Sequence, residues 1–242
     1  AGHLNPYKYV HALAAEAEAA GVYICEQSAV RAWDSEKVVT AQGQVRAKHI
    51  ILAAGADQTW PTRDFIRFKT FMMATAPLPP DMLALAFPGT AAVDDGRIFL
   101  SYARPMPDGR VIFGGVDSLI ERSPARNQQR LQREMAWLYP TLANVAIEHY
   151  WSGPIDFSAN LLPCVRQVAP NIYQANGFSG HGLTLTHLCG QAMAEAVLGE
   201  GVKFDLLARL RGPRLMPNRW LGLAQIGWPM LGEFVREKLG RY

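Results

Sequence analysis

The run Gly177-Phe178-Ser179-Gly180-His181-Gly182 is the part of this chain whose residue types and spacing point most directly to chemistry. Three glycines strip side chains from a short stretch of backbone. A helical run, from about Leu183 to Leu198, follows at once. The first N–H groups of a helix lack intrahelical partners, and the helix dipole adds partial positive charge there. A bare loop at such an end suits an anionic or electron-rich group. One candidate is a phosphate. The other is a flavin, whose C2 carbonyl and N1 gain negative charge on reduction, so that donors placed there act as an oxyanion hole does. The plain alternative is a glycine-rich turn that packs tightly on its own chain.

Other chemistries fit the loop less well. Gly177-Phe178-Ser179-Gly180 begins like the GxSxG elbow of serine hydrolases, but His181 stands where the fifth residue must be glycine. His181 and His187 lie six apart and would not share a helical face. His3, His11, His49 and His149 have no ligand spacing, so no metal site is expected. Cys25, Cys164 and Cys189 are far apart with no CxxC pair, which predicts three reduced thiols.

A substrate carboxylate would call for an arginine fork. Arg104, with Tyr102 beside it, is the candidate: the stretch Arg97 to Arg104 is strand-like, and alternation puts 102 and 104 on one face. The same pair would equally suit a solvated sheet face. For a polyamine-like substrate, an acidic or aromatic group such as Trp60 or Asp156 would matter instead.

These residues need elements to hold them. Asn5 and Pro6 open a helix to about residue 20, with Val10, Leu13, Ala14 and Ala17 on one face and Gly21 as its stop. Val22 to Glu26 reads as a strand. Lys37 to Ala41 and Gln44 to Ala47 form a hairpin about Gln42-Gly43. Ile50 to Ala54 is continuously apolar, as in a strand buried on both faces. Phe68 to Pro77, Arg97 to Arg104 and Arg110 to Val116 are strand-like in an antiparallel style, interrupted by a helix at about Pro124 to Leu138. Residues 146–151 and 171–176 read as further strands. The change of style predicts two domains sharing the chain.

Bulk properties narrow the class. The chain has 242 residues, 49% hydrophobic and 19% charged, and a net charge of +3, which describes a folded protein without the basic stripe of a nucleic-acid binder. After Ala1-Gly2-His3 there is no basic stretch followed by an apolar core, so no secretory signal is expected. The longest apolar stretch is broken by Gln225, Gly227 and Pro229, short of the ~20 apolar residues a membrane helix needs. A cytoplasmic location is therefore expected. Residues 200–242 carry eight Lys or Arg and four acids, with Trp220, Trp228, Leu231 and Phe234 among them. The expected reading is a segment packed on its own domain with a solvated basic face. Docking on a partner subunit or a membrane surface is the alternative.

Together these segments resemble the D-amino-acid oxidase-like family of FAD-dependent oxidoreductases. Gly2-His3-Leu4-Asn5-Pro6, Ile50-Ile51-Leu52-Ala53-Ala54-Gly55-Ala56, Trp151-Ser152-Gly153-Pro154 with Leu162-Pro163, and Asn176 to Gly182 are similar to family segments in the same order. The resemblance spans about residues 1–200. It implies an α/β (mixed α+β) fold: a partial Rossmann-like FAD-binding domain, 1–57 and 151–200, with an inserted antiparallel-sheet substrate domain, 58–150, and a C-terminal tail, 201–242. It implies FAD as cofactor, with Val30 toward the adenine end, Ala53, Ala54 and Gly55 near the dinucleotide, and Gly180, His181, Gly182 and Leu183 at the pyrimidine edge of the isoalloxazine. It implies an amine or amino-acid substrate whose C–H beside nitrogen gives a hydride to flavin N5. Family members open with a strand, a GxGxxG loop and a helix. No such pattern, and no acidic residue about 20 positions after one, opens these 242 residues. The expectation is therefore the C-terminal part of such an oxidase, with a partner subunit or an N-terminal segment supplying the rest. A non-catalytic remnant without flavin and a binding or assembly module are the rival readings. An NAD-dependent dehydrogenase is disfavoured because no nucleotide fingerprint precedes a helix.

Overall fold

A computed structural model describes residues 2–97, 100–118, 123–218 and 220–227. The chain forms two compact units. One gathers Arg67–Ile155, the other Leu4–Ile66 and Asp156–Ile226.

The second unit begins with helix α1, Pro6–Ala19. The Asn5 side chain accepts from Lys8 N at 3.1 Å, Pro6 occupies the first turn, and Gly21 follows in the left-handed region at φ +89°. The helix forms where the sequence places it, yet it buries no residue: Val10 and Leu13, meant for the core, are exposed. Val22 to Glu26 is a correction of another kind. It is irregular rather than a strand, and Tyr23 is 93% exposed. No strand lies beside it among the described residues, so its backbone has no ladder to join.

Strands β1 (Ala32–Trp33), β2 (Lys37–Val39) and β3 (Gln44–Arg46) make a small antiparallel sheet. Its hairpin turn is tied by Thr40, whose Oγ1 accepts from Gly43 N. Next comes β4, Ile50–Leu52. Two more strands of this unit, β10 (Cys164–Ala169) and β11 (Ile172–Asn176), complete a second sheet in the order β10-β11-β4. β11 is antiparallel to β10 and parallel to β4, with Ile172 opposite Ile50 and Gln174 opposite Leu52. β11 is buried at all five positions. β4 is not: Ile50 and Leu52 are buried, but Ile51 between them is 45% exposed. The sequence run predicted burial on both faces. β4 lies at the edge of this sheet among the described residues, and the face that Ile51 presents is left partly open.

Helix α4, Gly182–Val197, lies on this sheet through Cys189, Ala192 and Met193, and helix α5, Val202–Arg209, joins the same core through Phe204. The following segment is strapped down by Leu215, which donates from its N to Arg63 O and accepts from Arg63 Nε. So the described part of the tail packs on its own unit. Trp228, Leu231 and Phe234 lie outside the described residues.

The first unit is built on one antiparallel sheet. Its strands are β5 (Phe65–Thr75, whose first two residues belong to the other unit), β6 (Val93–Asp94), β7 (Tyr102–Pro105), β8 (Val111–Ser118) and β9 (Ile147–Ser158, whose last three residues belong to the other unit), in the order β6-β7-β8-β5-β9. Helices α2 (Pro80–Ala86) and α3 (Pro124–Leu138) accompany it. Phe71, Met73, Val111, Phe113, Leu131, Met135 and Leu142 form its core, all at 2% exposure or less. The predicted strand Arg97 to Arg104 shortens to β7. Residues 98–99 lie outside the described residues, and Arg97 is instead drawn to Asp95 at 2.5 Å and to Glu134. The strand predicted at 146–151 runs on to Ser158.

Candidate functional site

Two turns of small residues stand at the carboxyl ends of neighbouring parallel strands, the position where open α/β sheets bind ligands. β4 runs into Ala53-Ala54-Gly55, and β11 runs into Gly177 and the loop before α4. A buried amide network ties the strand ends together. Gln58 Oε1 accepts from Gln174 Nε2 at 3.0 Å and from Asn176 Nδ2 at 3.3 Å, and Gln58 Nε2 donates to Trp60 O.

The glycine loop is shaped from within. Gly177 sits at φ +72°, and a Cβ there would lie 3.1 Å from Ser158 Cβ, so this glycine is needed for packing against its own chain. Gly180 differs. It too is left-handed, at φ +85°, but nothing lies within 4 Å of where its Cβ would be. Ser179, between them, is also left-handed at φ 52°. Its Oγ accepts from Ser158 N and donates to Gly177 O. His181 closes the turn, donating from its N to Phe178 O, and its Nδ1 lies 3.1 Å from Ser179 O. α4 then starts with no side-chain cap, while Leu183 is exposed beside it. Uncapped amides next to open space, on a loop held from behind, are what a cradle for an electron-rich edge requires.

Asp156 lies beneath this loop. Its Oδ2 accepts from Gly177 N at 2.7 Å and its Oδ1 from Phe178 N at 3.1 Å, while its carbonyl accepts from Ser179 N at 2.7 Å. Burial pushes its carboxyl above the usual carboxylate range, and the two amide donors pull the other way. The expectation that Asp156 would meet a cationic substrate is therefore corrected: the residue is buried and both oxygens are taken by backbone. A lone acid in the otherwise uncharged run Gly153-Pro154-Ile155-Asp156-Phe157 was the available signal for such a role.

Val30, Ala53 and Ala54 line one pocket of about 380 Å³, together with Val38, Ile50–Leu52 and Trp60. Trp60 thus belongs to this apolar pocket, edge-on to Trp33 at 6.0 Å. Gly55 lies beside the pocket-lining Ala54, and a Cβ on it would come within 3.8 Å of Asp156 Oδ2. Tyr102 and Arg104 belong to the other unit, half-buried on the sheet face opposite the α3 core. The Tyr102 ring lies against Gly114 across the ladder, and its hydroxyl is 3.5 Å from Thr70 Oγ1.

Residues 1–196 match the family model described as DAO, FAD dependent oxidoreductase. This chain is a member of that family. The probable oxidoreductase OrdL of Rhizobium meliloti is 32% identical over 228 residues, covering 88% of this chain and 51% of that protein. The gamma-glutamylputrescine oxidoreductase of Escherichia coli is 30% identical, covering 86% and 51%. In fold, the chain is similar to glycine oxidase from Geobacillus kaustophilus, with a TM-score of 0.68, 20% identity and coverage of 85% and 57%. The chain spans about half the length of these relatives. FAD is the cofactor of the family, and the mixed α/β architecture read from the sequence is the one observed.

The residues present fit such a cofactor at two places. The uncapped start of α4 beside Gly180 offers amide donors, and the apolar pocket at Val30, Ala53 and Ala54 is large enough for a planar ring. Among the described residues no cluster of His, Cys, Asp or Glu could hold a metal ion, and no helix is long and apolar enough to cross a membrane.

Proposed function

We propose that this chain forms part of an FAD-dependent oxidoreductase that oxidises a C–N bond of an amine or amino acid. The observation that carries the reading is the pair of bare turns at the ends of β4 and β11, one of them leading into the uncapped α4. In this reading Gly180, His181, Gly182 and Leu183 face the pyrimidine edge of the flavin, and their N–H groups stabilise charge that builds there. Val30 faces the adenine end, while Ala53, Ala54 and Gly55 lie along the dinucleotide. The unit Arg67–Ile155 is the substrate unit, with Tyr102 orienting the substrate and Arg104 pairing with its carboxylate. When bound, FAD supplies the hydride acceptor. The protein's share is to hold the substrate C–H toward it and to exclude water. The named function of the gamma-glutamylputrescine relative supports an amine substrate. The lack of a nucleophile–base pair in the loop agrees with a reaction that needs none.

The test is direct. Titrated with FAD, the purified chain should quench flavin fluorescence and hold a yellow chromophore through gel filtration. Leu183→Asp, placing a negative charge at the pyrimidine edge, should weaken that binding at least tenfold. Full fluorescence at saturating protein would remove the reading for this chain.

A second reading has one specific observation in its favour, the open edge of β4 with Ile51 exposed. A strand-bearing segment, on a partner subunit or on the same polypeptide, completes this sheet and the dinucleotide site. Protection of Ile51 from hydrogen exchange by such a segment, and no protection by an unrelated strand, is the expected result.

A further inference from the structure

The geometry points to Asp156 as the positioning residue of the cofactor loop: its carboxylate, clamped on Gly177 N and Phe178 N, sets the direction in which Gly180 to Leu183 present their amides. The inference rests on the reading of that loop as the flavin cradle and adds a residue to it.

A buried carboxylate normally sits beside a cation or a metal, because desolvation is costly without one. Asp156 is 6% exposed. Its counterparts are backbone groups: two N–H donors for the side chain and a third, from Ser179, for its carbonyl. The ionisable groups around the loop are otherwise engaged or outward. Asp64 and Arg166 pair with each other at 2.7 Å, His181 turns to Ser179 O, and Asp57 and the His181 ring are exposed. Among the described residues, the Asp156 carboxylate is thus met by the amides it orders and by no cation. The arrangement fixes three successive residues from one residue, 177 and 178 through its side chain and 179 through its main-chain carbonyl. Two of them, Gly177 and Ser179, are in the left-handed region, which the chain would leave without a restraint. The loop is four residues from Gly177 to Gly180, so a rotation at its base swings the α4 amides.

Asp156 also reaches the second turn. Its Oδ2 lies within van der Waals distance of a Cβ built on Gly55, so one carboxylate sits under both small-residue turns. The same carboxylate that holds Gly177 thus also lies next to the turn at Gly55.

The experiment compares wild type, Asp156→Asn and Asp156→Ala in the full chain. Hydrogen exchange is followed for segments 177–183, 164–169 and 111–115. Asparagine keeps one acceptor and turns a donor toward the other amide, so it should loosen 177–183 about tenfold, and alanine more, with both control segments unchanged. The reduction potential of bound flavin should fall in the order wild type, asparagine, alanine, as donors leave the pyrimidine edge; a general packing defect would not order it so. Unchanged exchange at 177–183, or equal loosening of 164–169, overturns the inference. Equal FAD affinity and potential in all three forms overturns it too, while the flavin reading stands. If wild type binds no FAD yet the exchange pattern is as described, the flavin reading fails and Asp156 remains the anchor of the loop.

Discussion

The two large sheets of this molecule differ in how far they satisfy themselves. The five-stranded sheet of Arg67–Ile155 has a complete core: Phe113, Met73, Val111 and Leu131 are fully buried, with α3 against them. The β10-β11-β4 sheet buries β11 completely but leaves β4 half open, and in the same unit α1 buries nothing. Both regions have apolar, regularly patterned sequences. Pattern states which face wants burial; only a neighbour provides it. The unit that carries the two bare turns is the one whose surface is unfinished.

That contrast can be broken at several points. The largest effect is expected for Phe113→Ala, which should cost about 4 kcal/mol of stability in denaturant unfolding. A loss near 1 kcal/mol would show that the complete-looking core is loose. Asp64→Asn comes next. Its carboxylate is 1% exposed and paired with Arg166, so removing the charge takes the counter-ion from a partly buried guanidinium that keeps its bond to Gln174 Oε1, at about 2–3 kcal/mol by the same measurement. Gly177→Ala should cost about 2 kcal/mol, since the left-handed φ and the Ser158 side chain both oppose a methyl group. A neutral result would mean the loop is not fixed from behind.

Alkaline pH gives a smaller effect. Burial pushes the Cys164 thiol up to about 11 from an ordinary 9.0. Between these values the unfolded chain loses its proton while the folded chain keeps it, so stability falls as pH rises, by roughly 1–2 kcal/mol. The fall should be absent from Cys164→Ala when the two are melted side by side. Smallest of all is Val10→Ala on the bare face of α1, at less than about 0.5 kcal/mol. A cost near 2 kcal/mol would show that α1 is covered after all, and with it that the contrast is wrong.

Much of this was legible in the residues. Asn5-Pro6 and Gly21 bracket α1 because caps and left-handed stops are local chemistry. The glycine loop and the start of α4 are legible for the same reason. Strands whose partners are distant in sequence were read less well. Val22 to Glu26 has strand composition but no ladder, and Arg97 is held by Asp95 and Glu134 instead of extending β7. α2 and β1 were missed, being short and without strong periodicity. Asp156 reads as a contact for a polyamine-like substrate, yet its oxygens meet backbone N–H groups, because sequence shows that an acid is present and not which atoms its oxygens meet. The network that joins the buried amides of Gln58, Gln174 and Asn176 left no signal; its meaning lies only in their meeting.

Gly114 has a consequence for the other unit. A single methyl group there would lie 2.3 Å from Tyr102 Cε2, so the ring rests on a place where an atom is missing. The phenol is aimed by an empty seat on the next strand. Its hydroxyl can be re-aimed, in evolution or by design, through a position that has no functional group of its own.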